Sequence, residues 1–391
     1  MYRLIVKNFG VLKDIDIKLN KTNLFIGENG SGKSVLAKLI TIVTNRTLNK
    51  DEILLNFKDF EINFIDDKTI IELKENIDTL FLFKDNTFKS FDKLDELQKK
   101  YLNIKDEIQF HKFIDELEND SKIEALIYKI SNIKEKDIIQ NTRDNSEKKD
   151  TLFKIEKDYK KLESQYIPTE RNLISLFNNS LSNLLTADIP LPKSLLEFSA
   201  QYNSARKEIK EIELLNMRFE SKNGQDKIYY DKDNFLPLEQ SSSGIQSALP
   251  LYLTVKYFNN KHKNIIIEEP ELNLFPKAQA DTTKFIVENS ENNLYLMTHS
   301  PYILSTLNSL LFAYKASNKN DVLKKKIENI IPESQHINPD EFSAYLLEDG
   351  KSVDIVSKRG LIRADAINDC SDDIDDEFNE LMELYREFKD V

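Results

Sequence analysis

Residues 23–40 read NLFIGENGSGKSVLAKLI. An apolar run from Leu24 to Ile26 enters a loop with glycine at 27, 30 and 32, and Lys33 and Ser34 then open a stretch with helical apolar spacing. Strand, glycine loop and helix follow one another, and Gly27, Gly32, Lys33 and Ser34 satisfy G-x-x-x-x-G-K-[ST]. The whole chain holds eight glycines, so three of them in one short loop is not a consequence of composition. Such a loop turns its backbone N–H groups inward, and the helix N-terminus behind it adds partial positive charge, which together suit phosphate oxygens. Lys33 then bridges the outer phosphates and Ser34 holds Mg²⁺. A plain glycine turn capping a helix explains the glycines but not the Lys-Ser pair that comes after them.

A second stretch supplies what a cationic site needs opposite it. Residues 264–276, NIIIEEPELNLFP, place three isoleucines directly before Glu268, Glu269, Pro270 and Glu271. An all-isoleucine strand belongs inside a sheet, and carboxylates at its end are costly to desolvate without a partner. Strand alternation sends Glu268 and Glu269 to opposite sides, so one is expected to meet the Mg²⁺ at Ser34 and the other to orient an attacking water. Pro270 ends the ladder. An acidic turn before a helix starting near Pro276 is the alternative, and the phosphate loop weighs against it.

KAQADTTKFIVEN then reads as a helix, and NLYLM (Asn293 to Met297) as another buried strand, which ends in THSPYIL. A right-handed parallel crossover places His299 at the same sheet edge as Glu269, where it can donate to a terminal phosphate, with Ser300 and Pro301 as N-cap and N1 of the next helix. Upstream, LEQSSSGIQSALPLYLTVKYF puts Ser243 and Gly244 at the start of a long apolar helix, a weak anion-site signal by itself. His111, His262 and His336 lack comparable surroundings.

Composition narrows the class. The chain has 391 residues, is 40% hydrophobic and 31% charged, and carries a net charge of −12. This acidic balance does not indicate a surface that grips nucleic acid, although a local basic patch stays open. The lone cysteine, Cys370, excludes an internal disulfide framework and fits a cytoplasmic protein. MYRLIVKNFG is too short for a secretory apolar region, and no stretch is long enough to span a bilayer, so no membrane partner is expected.

Phosphate loop, serine–glycine segment, isoleucine strand ending in Glu-Glu and strand-end histidine, in this order, resemble an ABC-type ATPase head of the OLD, RecF and SMC group. IEEPELNLFP is similar to that group's Walker B and D-loop, MTHSPYIL to its switch-histidine segment, and YIPTERN (Tyr166 to Asn172) to a Pro-Ala-Glu-Arg segment of stand-alone prokaryotic members. The resemblance implies an α/β P-loop NTPase fold with an antiparallel β-subdomain and an inserted helical hairpin or lobe. It implies ATP and Mg²⁺ as cofactors, with Asn29, Gly30, Ser31, Gly32, Lys33, Ser34 and Val35 around the phosphates. Glu268 becomes the Walker B acid, Glu269 the catalytic base and His299 the switch, with Gln165 as candidate Q-loop ligand of the metal beside Ser34 and Glu268. Ser243 and Gly244 of one subunit close on the nucleotide of another, which implies a homodimer or higher oligomer. The chain departs from the group in carrying Asn273 and Phe275 where relatives often have a D-loop histidine. SSSGIQ and EEPE also differ from their transporter counterparts.

The expected organisation is an N-terminal half of the head over 1–90, a helical insertion over 91–165, a helical lobe and hairpin over 166–237, and the C-terminal half over 238–391. Residues 52–90 read as short strands, 91–163 as helices with apolar residues at spacings of three and four (Leu94, Leu97, Tyr101, Ile104, Ile108), and 193–235 as a helix and a hairpin. Residues 301–391 read as helices, a hairpin at FSAYLLEDGKSVDIV and an acidic amphipathic helix from about Asp372, with no acidic metal cluster of a nuclease. The resemblance therefore implies an ATPase that controls a separate effector, such as a nuclease, in anti-phage systems of Septu or PARIS type. A RecF- or SMC-like ATPase that binds DNA itself is the alternative, and an ATP-gated scaffold a third.

Overall fold

A computed structural model of the chain describes residues 2–45, 50–75, 78–84, 87–90, 164–177, 191–222, 225–259, 261 and 264–363. The expectations for 91–163, for the acidic segment from Asp372, and for His111, His262 and Cys370 lie outside these residues.

The isoleucine strand sits where its composition demands, with a parallel neighbour on each side. Strand β12 (Asn264–Glu268) pairs in parallel with β7 (Ser164–Ile167) and with β13 (Asn293–Thr298). β13 in turn pairs with β3 (Thr22–Ile26), and β3 with β14 (Phe342–Glu348), again in parallel. Phosphate-loop strand, histidine strand and carboxylate strand therefore lie side by side, with their C-terminal ends at one edge. Beyond this block, β15 (Lys351–Asp354) runs antiparallel to β14 and touches β2 (Leu12–Leu19). There the antiparallel strands β1 (Tyr2–Phe9), β4 (Ile70–Glu75), β5 (Asp78–Lys84) and β6 (Thr87–Ser90) continue the same sheet in the order β6-β5-β4-β1-β2-β15-β14-β3-β13-β12-β7.

Helix α1 (Lys33–Thr44) covers one face of the parallel block, with Leu36, Leu39 and Ile40 packed beside Ile266, Tyr295 and Met297. α2 (Lys50–Asp59) adds Phe57 to that core. This corrects the expectation of strands throughout 52–90: Phe57 and Phe60 are both buried, and their spacing of three suits a helical face rather than an alternating one. The opposite face holds α3 (Arg171–Phe177), α4 (Lys193–Glu208), α5 (Ser243–Phe258), α6 (Pro276–Glu288) and α7 (Pro301–Ser317), packed on Ile265, Ile267, Leu294 and Leu296. A short helix, α8 (Asp321–Glu328), comes after α7.

One further difference from the sequence reading concerns a hairpin. A four-stranded antiparallel sheet, β8 (Glu211–Leu214), β9 (Met217–Lys222), β10 (Gln225–Tyr229) and β11 (Phe235–Pro237), stands where one hairpin was expected. The expected hairpin at 342–354 forms, with β14 next to β3 and its buried Ala344 and Leu347 in the cores on the two faces of the sheet. Among the described residues no helix is long and apolar enough to cross a membrane.

Candidate functional site

The loop after β3 has the backbone that its glycines suggest. Gly30 and Gly32 have φ of 82° and 100°, in the left-handed region that glycine enters without strain. A Cβ on Gly32 would lie 2.6 Å from Leu12 Cδ2 and one on Gly27 2.4 Å from the Leu347 carbonyl, whereas Gly30 has no heavy atom within 4 Å. The base of the loop is thus tightly packed and its tip faces open space. Asn29 and Gly30 are exposed, and Ser31 and Val35 are half-buried. Lys33 is buried, and its ammonium donates to the carbonyls of Gly27 (2.7 Å) and Glu28 (2.9 Å) inside the loop. Burial lowers the Lys33 pKa, opposed by the charges of Glu269, Glu271 and Glu268.

Three glutamates meet this loop in three environments. Glu268 is 3% exposed and accepts hydrogen bonds from the Ser34 hydroxyl (2.9 Å) and from the Tyr166 hydroxyl (2.7 Å). Burial pushes its carboxyl upward, and those two bonds counter part of the shift. Glu269 reaches the other side by a route the sequence does not reveal. It does not continue the strand but adopts φ of 44°, an uncommon left-handed conformation for a residue with a side chain. Its N–H donates to the Met297 carbonyl (2.8 Å), and its carbonyl accepts from Leu272 N (3.0 Å) and from Arg171 Nη2. Its carboxylate then lies 2.9 Å from His299 Nε2. The expected division between Glu268 and Glu269 therefore comes from a turn and not from strand alternation.

His299 Nδ1 lies 3.2 Å from the Lys33 ammonium, which can only donate, so a neutral imidazole with its proton on Nε2 satisfies both contacts. Glu271 holds the histidine segment in place: one of its oxygens accepts from Thr298 Oγ1 (2.5 Å) and from the His299 N–H (2.8 Å). The second oxygen of Glu271 is buried without a hydrogen-bond partner among the described residues. Burial and the neighbouring Glu269 charge push the Glu271 carboxyl up to about 7. Burial would raise Glu269 as well, but the interactions with its neighbours, the His299 bond foremost, outweigh it and hold Glu269 below the usual carboxylate range.

Gln165 does not join this group, and the register explains why. Gln165 pairs with Ile265 and Tyr166 with Ile266, so Tyr166 shares the face of Ile266 and Glu268 while Gln165 shares that of Ile265 and Ile267. Its amide donates to Gln201 of α4 (2.5 Å) and to the Tyr166 carbonyl (3.0 Å). Tyr166, next to Gln165 in the chain, is the residue on Glu268 that sequence reasoning missed. Arg171 carries no role in the sequence beyond its place in YIPTERN, yet it is fully buried, and its guanidinium donates to main-chain carbonyls including that of Glu268 (2.7 Å). Burial lowers Arg171 to about 10, which leaves it charged at neutral pH.

Ser243 is exposed at the first turn of α5, where Ser242 is the N-cap. Among the described residues no hydrogen bond joins residues 241–244 to the phosphate loop, whereas α5 does meet the carboxylate turn. A Cβ on Gly244 would lie 3.0 Å from the Asn273 carbonyl, and Asn273 Nδ2 donates to Ser247 Oγ (2.9 Å). Phe275, two residues on, is 79% exposed.

The donor set suits a phosphate-bound magnesium. No group of three or more His, Cys, Asp or Glu among the described residues forms a metal cage. Ser34 and Glu268 instead offer a hard oxygen pair beside an open loop, the kind of partial site that Mg²⁺ completes with phosphate and water.

A family described as an AAA ATPase domain matches residues 1–304. Among curated proteins none matches the sequence. Of solved structures, the SMC head domain from Thermotoga maritima aligns at 11% identity over 90% of this chain and 97% of its own, with a TM-score of 0.38. The Pyrococcus furiosus Smc head with an extended coiled coil, bound to the C-terminal domain of ScpA, aligns at 12% identity over 91% and 96%, with a TM-score of 0.33. An ATP-binding cassette of an ABC transporter, MJ1267 in its ADP conformation, aligns at 12% identity over 90% and 89%, with a TM-score of 0.32. Likeness at this level is slight, and the fold rests on the sheet order, the loop and the family match.

Proposed function

We propose, from a chain that belongs to the AAA ATPase domain family, that it binds ATP at the loop of residues 27–34 and hydrolyses it with Glu269 as general base. The observation that carries this reading is the convergence at one sheet edge of Lys33, the Ser34–Glu268 pair and the His299–Glu269 pair. Lys33 leaves its loop carbonyls for the β- and γ-phosphates, and the glycine backbone receives their oxygens. Ser34 and Glu268 would hold a Mg²⁺, which when bound would supply positive charge against the phosphate oxygens. Glu269, kept ionised, orients a water and takes its proton, and His299 holds that carboxylate through its Nε2–H.

Ser243 and Gly244 complete the site from a second copy of the chain: Ser243 is exposed at the start of α5, and no hydrogen bond among the described residues joins either residue to the phosphate loop of its own chain. The dimer then transmits its nucleotide state to a separate effector, a nuclease of an anti-phage system being the partner that the YIPTERN and EEPE segments suggest. Direct DNA binding is the weaker reading, given a net charge of −12. Phosphate-release kinetics test the activity. Glu269→Gln should keep ATP binding while turnover falls about a hundredfold to ten-thousandfold. Equal turnover in the variant and the wild type would remove Glu269 from the chemistry.

A further inference from the structure

Arg171 is a fully buried arginine whose hydrogen bonds, among the described residues, all go to main-chain carbonyls. Its Nη1 donates to Pro168 (3.0 Å) and Glu268 (2.7 Å), its Nη2 to Glu269, and its Nε to Ser247 (3.2 Å). These four acceptors come from three places: the end of β7, the carboxylate turn and the second turn of α5. A buried charge solvated by oriented carbonyls is stable only while all of them stay in position, because each lost bond leaves part of a charge unpaired.

The α5 side of this arrangement has its own explanation in sequence. Pro250 lies inside α5 and has no N–H, so the carbonyl of Gln246, four residues earlier, lacks its helical donor. The Ser175 hydroxyl supplies one at 2.7 Å, and Arg171 Nε bonds the next carbonyl, Ser247. Helix α3, which carries both Arg171 and Ser175, is thus fastened to the one carbonyl that the proline frees and to the carbonyl next to it. On the other side, Arg171 grips the two carbonyls that bracket the left-handed residue, Glu269. Asn273 adds a second, independent bond from the same turn to Ser247 Oγ.

We propose that Arg171 is a positioning residue that couples the helix bearing Ser243 and Gly244 to the turn bearing Glu269, so that a displacement of α5 moves the carboxylate. This role rests on the hydrolytic reading given above. An arginine is required because its planar fork reaches several acceptors at once, whereas a lysine ammonium has the charge without the fork.

The test pairs turnover with hydrogen exchange. In Arg171→Lys, kcat should fall about tenfold to a hundredfold, the effect of a slightly misplaced catalytic group, while KM for ATP stays within about twofold. Amide exchange should quicken together in residues 245–249 and 268–273 and stay unchanged in 27–34. Because loss of a buried arginine can unfold a chain, Pro250→Ala provides a second route: it gives the Gln246 carbonyl a helical donor that competes with Ser175. This variant should lower kcat at constant KM and quicken exchange in 268–273 without lowering the melting temperature. Unchanged exchange in 268–273 in both variants, or KM and kcat rising together, would overturn the coupling. Absence of turnover in the wild-type protein would remove the proposed activity instead, and the exchange data would still decide whether Arg171 joins the two segments.

Discussion

The phosphate loop and the carboxylate turn face each other across the same few ångströms, yet they are built in opposite ways. In the loop, Lys33 bonds Gly27 and Glu28, partners six and five residues away. In the turn, Glu268 is bonded by Tyr166 from 102 residues away, and Glu269 is gripped by Arg171 from 98 residues away. The hydrogen bonds that hold Lys33 within the loop are local, although the base of the loop packs on Leu12 and Leu347. The turn is assembled, and its geometry depends on β7, α3, α5 and β13 all being in place. A change in the loop should therefore alter what the site binds, and a change in the turn what it does with the bound molecule.

The largest expected effect on binding lies on the loop side. Lys33→Ala removes a cation that would contact the phosphates in ground and transition states alike, so ATP affinity and hydrolysis should fall together, affinity by about tenfold to a hundredfold. Calorimetric titration checks this. Normal ATP affinity in the variant would blur the division between the two regions, as would weakened binding in Glu269→Gln.

A smaller effect sharpens the turn side. The Glu271 carboxyl is pushed up to about 7 from an ordinary 4.5, so the folded chain holds a proton that the unfolded chain has released. The corresponding stability is fully present below about 4.5 and is lost as pH rises through about 7, on the order of 3 kcal/mol. Glu269 shifts the opposite way, and its contribution changes only at more acid pH. Between pH 5 and 8, Glu271→Gln should therefore lose less stability than the wild type as pH rises. Denaturant midpoints across that range read it out, and parallel pH profiles would contradict a raised Glu271 carboxyl.

The same contrast explains how much was legible in sequence. The loop could be read residue by residue, because its chemistry and its backbone are specified by neighbours. Glu268, Glu269 and His299 could be placed at one edge because buried parallel strands fix their ends together. The rest depended on register: a shift of one position along β7 exchanges Gln165 for Tyr166 at the Glu268 carboxylate. Arg171 was hidden for a further reason. Its partners are main-chain carbonyls, which leave no mark in the side-chain sequence, and only Pro250 in an apolar helix hinted that carbonyls there were free. The left-handed turn at Glu269 was invisible too, since glutamate carries no signal for positive φ.

The central claim is that one chain holds the nucleotide and a second chain closes the site. Light scattering of Glu269→Gln with ATP, with ADP and without nucleotide tests it directly. ATP alone should roughly double the mass, and adding Ser243→Arg, which places bulk and charge on the exposed start of α5, should restore the monomer while ATP still binds. An oligomer that forms without ATP and survives Ser243→Arg would contradict closure across two chains.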